Sequence, residues 1–140
     1  MKNTGIIMLA LLMLVVFFLP ACNSPRSQLE DKNWILTSYT VEGESHEVLS
    51  DTLVTLSFDS EEKQLSGSAG CNLYGGGYEI AGSKLKTVEP FYMTEMYCGD
   101  ERDRQEREFM ELLKNVESYD VTGDKLRIDS SKGALNFRLE

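Results

Sequence analysis

Histidine and tryptophan occur once each in this 140-residue chain, and proline only three times. The lone histidine, His46, leaves no second imidazole for a metal site, and any Ser-His-Asp relay would rest on it alone. It stands among acidic residues in what reads as a loop, so a solvated side chain is expected. Basic clusters are missing too: 23 acidic against 14 basic side chains give a formal charge of −9. That balance argues against nucleic acid and against electrostatic docking on anionic lipid; solubility is its plainest consequence. There is no phosphate loop, because Gly75-Gly76-Gly77 leads into Tyr78 and a strand pattern rather than Lys-Ser/Thr and a helix. No repeat or low-complexity segment is visible. The longest apolar run, Ile6–Leu19, has 14 residues, about 21 Å of helix against a hydrocarbon layer roughly 30 Å thick. A permanent span is not expected.

What that run does resemble is the core of an export signal. Lys2 gives a short positive start, and the run passes into Leu19-Pro20-Ala21-Cys22, which resembles a bacterial lipobox. The resemblance implies cleavage after residue 21 and lipidation of Cys22, with palmitate-type acyl chains holding the protein to a membrane. Asn23 after the cysteine favours the outer membrane by similarity to enterobacterial sorting. Removal of residues 1–21 leaves 119 of the 140 residues and takes away Lys2 alone among the charges, so −9 becomes −10. That is enough chain for one domain with one core.

With Cys22 lipidated, Cys71 and Cys98 remain as an even pair, and in an oxidising compartment a disulfide is the simplest reading. Two free buried thiols or a two-cysteine metal site stay open at this point.

Residues 22–30 read as a polar tether and 31–140 as the domain. Strands are expected around Trp34–Val41, ended by Glu42-Gly43-Glu44, and at Leu53–Phe58, where Val54, Leu56 and Phe58 share a face. Lys63–Ala69 reads as the hairpin partner, with Gly67 expected to mark a bulge. The three glycines are expected to break the chain before Tyr78–Ile80 and Leu85–Val88. A helix is expected over about 101–116, starting at Asp100, with Phe109, Leu112, Leu113 and Val116 as its core stripe and its first two turns in solvent. Strands resume at Tyr119–Val121, Leu126–Ile128 and Leu135–Leu139. The fold class is α+β: a single small domain, mostly antiparallel sheet, able to curl into a barrel, with one helix.

Two segments exceed generic sheet: Gly70-Cys71-Asn72-Leu73-Tyr74 with its glycines, and Met93-Thr94-Glu95-Met96-Tyr97-Cys98 before the acidic helix. With the Trp34 start and the Gly123-Asp124-x-Leu126 hairpin, they resemble the META domain, the type carried by the heat-shock lipoprotein HslJ, over Leu29 to Glu140. Glu95 stands where that family commonly has a basic residue. The resemblance implies a cell-envelope module linked to stress response, antibiotic tolerance or secretion, without an established chemical activity.

From the residues themselves, Gly70, Asn72, Tyr74, Met93, Thr94 and Met96 form a motif whose role is structural, with recognition as the alternative. Met93 and Met96 are expected as gap fillers; with Cys98 they could bind a soft metal, but packing is the default. Glu101, Asp103, Glu106, Glu108 and Glu111, interleaved with Arg102, Arg104 and Arg107, read as a solvated helix face with Glu111 reaching Arg107. No enzyme, metal or cofactor is expected. Two functions compete: a non-enzymatic envelope interaction module, and a small-molecule, peptide-binding or hydrolase-inhibitor barrel whose mouth would need an apolar cavity above about 300 Å³.

Overall fold

The computed structural model describes residues 24–140; the expected signal peptide 1–21 and the lipidation site Cys22 lie outside the described residues. A five-residue helix α1 (Pro25–Leu29) leads into β1 (Asn33–Val41) and a short β2 (Glu44–Glu47). Then come β3 (Thr55–Asp59), β4 (Gln64–Ser68), β5 (Leu73–Ala81) and β6 (Lys84–Met93). The second helix, α2 (Asp100–Lys114), precedes β7 (Val116–Thr122), β8 (Lys125–Ser130) and β9 (Gly133–Leu139). Apart from β2, each strand pairs antiparallel with its sequence neighbours, β1 meeting β3 and β9 closing on β1. The result is an eight-stranded closed barrel with β2 as an annex on β1, which confirms the mostly antiparallel α+β reading. Closure spares these strands an exposed edge.

Alternation sets the inside. Val54, Leu56 and Phe58 of the β3 region are buried, as are Leu126 and Ile128 of β8 and Leu135 and Phe137 of β9. Trp34, at the α1 end of β1, has no exposed surface, its indole N–H donating to the Leu29 carbonyl at 3.0 Å. The Phe58 and Tyr78 rings meet edge to face, as do Tyr74 and Phe109.

A helix closes each end. At the end where β3 turns into β4, α1 buries Leu29 completely, and the Tyr78 hydroxyl donates to Glu30 Oε1 at 2.5 Å. Part of the stretch read as a tether is therefore built into the fold. At the opposite end α2 lies across the mouth, with Phe109, Leu112 and Leu113 pointing into the core. It ends at Lys114, so Val116 belongs to β7 although it is buried as expected. Met110 joins the stripe.

Three expectations need correction. The triple glycine does not break the chain but lies inside β5, because β6 aromatics stand where side chains would go: a Cβ on Gly75 would run into the Tyr92 ring, and one on Gly76 into Phe91. Register slips there, between Gly75 and Gly77, and not at Gly67. Around Gly67 the register is the same on both sides, Ser57 opposite Ser66 and Val54 opposite Ala69. The missing side chain there lets the Thr55 carbonyl turn inward and accept the Tyr74 hydroxyl at 2.7 Å. Third, Glu44-Ser45-His46-Glu47 is a strand, invisible to hydrophobic alternation because it contains no apolar residue. It is made by its turn, where Glu42 and Gly43 both take positive φ (51° and 88°), the hairpin-favouring geometry.

Gly67→Ala should accordingly cost about 2 kcal/mol, since the new methyl displaces main chain and breaks the Tyr74 bond; urea unfolding measures it. A second prediction concerns acid. Burial of Glu30 favours its neutral form, but hydrogen bonds from Arg26 and Tyr78 together with the charges of Arg26 and Lys63 outweigh burial and hold its carboxyl below the usual glutamate value. A carboxyl lowered in the folded state contributes stability above its unfolded pKa and loses it as pH falls through the folded one. Glu30→Gln should therefore destabilise at neutral pH and flatten the acid limb of the stability curve; parallel melts across mildly to strongly acidic pH read both.

Candidate functional site

The two motif segments meet at the α2 mouth. Cys71, in the turn between β4 and β5, and Cys98, just before α2, are joined by a disulfide with Cα atoms 6.0 Å apart. Cys98 is thereby withdrawn from any soft-metal set with Met93 and Met96. Among the described residues no group of three or more His, Cys, Asp or Glu side chains is placed to hold a metal ion.

Gly70 opens the turn with φ 98°, a conformation that favours glycine. The next residues are organised by Asn72, which is 2% exposed. Its Oδ1 accepts from the Thr94 hydroxyl at 2.9 Å and from the Met96 N–H at 2.7 Å. Its Nδ2 donates to Glu106 Oε1 at 2.7 Å and to the Met96 carbonyl at 3.1 Å, and its backbone N–H donates to Glu106 Oε2 at 2.7 Å. Thr94 returns the favour to the chain after Asn72, its hydroxyl accepting the Leu73 N–H at 3.1 Å. One amide thus reads the post-β6 loop on one side and the helix on the other. Every donor and acceptor of that side chain is used, so Asn72 has nothing left to offer a ligand.

Glu106 is the partner that sequence reasoning placed wrongly. The acidic run reads as a solvated face, but Glu106 and Gln105 are buried, each bonded to a loop. Gln105 accepts the Leu49 N–H at 2.8 Å and donates to Thr52 Oγ1 at 2.9 Å. The expectation that the first two turns of α2 project into solvent therefore fails at the second turn. A signal existed: Gln105 extends the core stripe of Phe109 backwards, and a polar residue on a buried stripe requires a partner. Glu111 pairs with Lys132 rather than Arg107.

Tyr74 is structural, fully buried with its hydroxyl on Thr55, and burial pushes its phenol well above the ordinary tyrosine value. Met93 and Met96 are not gap fillers. Both Met96 backbone groups are committed to Asn72, and its side chain is turned outward, 56% exposed. Met93 and Tyr97, which line one cleft with it, are exposed as well, Tyr97 to 75%. The lock is inside; its visible product is an apolar face.

Elsewhere, His46 lies on β2 and stacks on Tyr39 at 5.2 Å between ring centroids, while Tyr39 donates to Glu108 at 2.8 Å. Side chains from the strands, α1 and α2 form one buried core cluster; a groove of about 670 Å³ on the outer surface is lined by Arg26, Lys63, Tyr78, Ile80, Lys84 and Lys86 among others.

Comparison with solved structures agrees with this architecture. A protein from Burkholderia xenovorans solved by NMR superposes with a TM-score of 0.70 at 22% identity, over 84% of this chain and 88% of that one. Another NMR structure gives a TM-score of 0.63 at 28% identity, covering 81% of this chain and 92% of its own. The crystal structure of a DUF4847 family protein from Bacteroides vulgatus gives 0.55 at 13% identity, over 76% and 91%. No protein of curated function matches. A family model for the META domain matches residues 27–140, a span that includes both the Gly70–Tyr74 and the Met93–Cys98 segments. The chain belongs to the META domain family.

Proposed function

We propose that this protein is a non-enzymatic, lipid-anchored module of the bacterial envelope, exported by its leader, held through Cys22 and acting by binding a macromolecule at the α2 mouth. The observation that carries this reading is the division of labour in the motif. Asn72, Thr94 and Glu106 are spent on one another, while Met93, Met96 and Tyr97, which line one cleft, are left on the surface. Exposed apolar side chains gathered on one face favour association. Placement supports it as well: the chain enters the barrel at the α1 end, so an anchor at Cys22 would leave the α2 mouth facing away from the membrane. A stress-response role, outer rather than inner membrane, and the absence of turnover belong to the same reading.

The competing ligand-barrel reading finds little support, since both mouths are covered and the interior is packed. Its remaining foothold is the outer groove beside Lys84 and Lys86.

The test is crosslinking capture from intact cells with the native protein, a Met96→Ser/Tyr97→Ser form and a Cys22→Ser form. Native protein should give a defined adduct, the double substitution should lose most of it, and Cys22→Ser should lack the acyl mass and lose the adduct by release from the envelope. An adduct indifferent to Met96 and Tyr97 would refute the proposed face, and an unmodified sulfur on native Cys22 would refute the anchor. A reaction of purified protein that dies with Asn72 would refute the non-enzymatic assignment.

A further inference from the structure

We infer that the apolar face at the α2 mouth receives a cationic amphipathic polypeptide segment. This rests on the interaction reading above and adds the chemistry of the partner. The apolar part of the face is Met93, Met96 and Tyr97, all exposed and lining one cleft. Its backbone is fixed from beneath by Asn72 and the Cys71–Cys98 bond, so little main-chain order has to be gained on binding. Its methionines remain adaptable, a combination that suits partners recognised by an apolar stripe rather than by one fixed shape.

Charge selects the sign of the partner. Residues 94–103 contain Glu95, Asp100, Glu101 and Asp103 against one cation, Arg102. The Arg102 guanidinium is already paired with Asp51, across the loop. A cleft of about 310 Å³ runs between this loop and α2, lined by Met93, Glu95, Met96, Tyr97 and Asp103, with Arg107 as its basic wall residue. An apolar floor with an acidic rim matches a segment carrying apolar residues on one face and Lys or Arg on its flanks. The Tyr97 ring offers such cations a second attraction through its face. A second copy of the chain would bring the same acids to the interface, within a molecule already at −9, and an anionic lipid surface would be repelled likewise.

The test uses the full-length lipoprotein in zwitterionic phosphatidylcholine nanodiscs, with empty discs as blank, titrated calorimetrically. The probes are an amphipathic Leu/Lys peptide about five helical turns long, a Leu/Lys permutation with no apolar face, and a Leu/Glu peptide of the original pattern. The amphipathic Leu/Lys peptide should bind saturably. The permutation should bind about tenfold more weakly, the Leu/Glu peptide not measurably, and Met96→Ser or Tyr97→Ser should each cost about tenfold. Glu95→Lys with Glu101→Lys should weaken binding and reduce its salt dependence. All four positions are exposed, so unchanged melting curves will certify the fold. Equal binding of the Leu/Glu peptide, indifference to Met96 and Tyr97, or no saturable binding would overturn the inference. If those results coincide with a cell adduct that still depends on Met96 and Tyr97, the partner class is wrong and the interaction reading stands; if that adduct is also missing, both fall.

Discussion

Asn72→Ala is expected to lower the stability of the domain by about 3–5 kcal/mol, the largest effect of any polar substitution in the fold. The reason is what the change leaves behind. Glu106 would keep its backbone donor at Asn72 but lose the amide that holds Oε1, and the Met96 N–H and carbonyl would lose the partner that binds both. Removing one side of a buried, fully satisfied network exposes the desolvation cost of the other side, which exceeds the net worth of the bonds themselves. Loss of the loop's geometry should follow, so the exposed Met93, Met96 and Tyr97 side chains would lose their arrangement as a secondary effect. Urea unfolding with circular dichroism reads the stability; a loss under about 1 kcal/mol would show that the network is peripheral.

The paired replacement Cys71→Ser/Cys98→Ser is expected to cost about 3–4 kcal/mol, from the chain entropy released when a loop spanning 27 residues is no longer closed. Both must be changed together, because a single serine leaves an unpaired thiol. The bond ties the β4–β5 turn to the residue before α2, while Asn72 ties that turn to α2 itself. The two constraints hold the same pieces, so their losses should not add simply. Thermal melts of native protein with and without reductant should reproduce most of the same drop; identical melts would argue that the bond is not formed in the protein.

Much of this architecture was legible because its cause is local. Val54, Leu56 and Phe58 face inward by alternation, and Phe109, Leu112 and Leu113 by helical spacing, and all are buried. The closing of β9 onto β1 is a different matter: it joins residues about a hundred positions apart, such as Tyr39 opposite Leu135, and no window of sequence contains both. The glycines misled for the same reason. Gly75 and Gly76 look like a break until Phe91 and Tyr92 of the next strand are in place above and below them. Asn72, Thr94 and Met96 stand out in the sequence as a motif, yet the network that joins them needs Glu106, whose burial its acidic neighbours conceal. Met93 and Met96 lie on the surface rather than in the core because hydrophobicity predicts burial only on average, and single apolar side chains are regularly left exposed.

The central claim is that the twin motif is an internal lock between Asn72 and Glu106, and a double-mutant cycle tests it directly. Unfolding free energies are needed for native protein, Asn72→Ala, Glu106→Ala and the double variant. If the lock exists, the double variant should lose clearly less than the sum of the two single losses, leaving a coupling of about 2–3 kcal/mol. Strictly additive losses would contradict it, and would mean that the two side chains support the barrel independently.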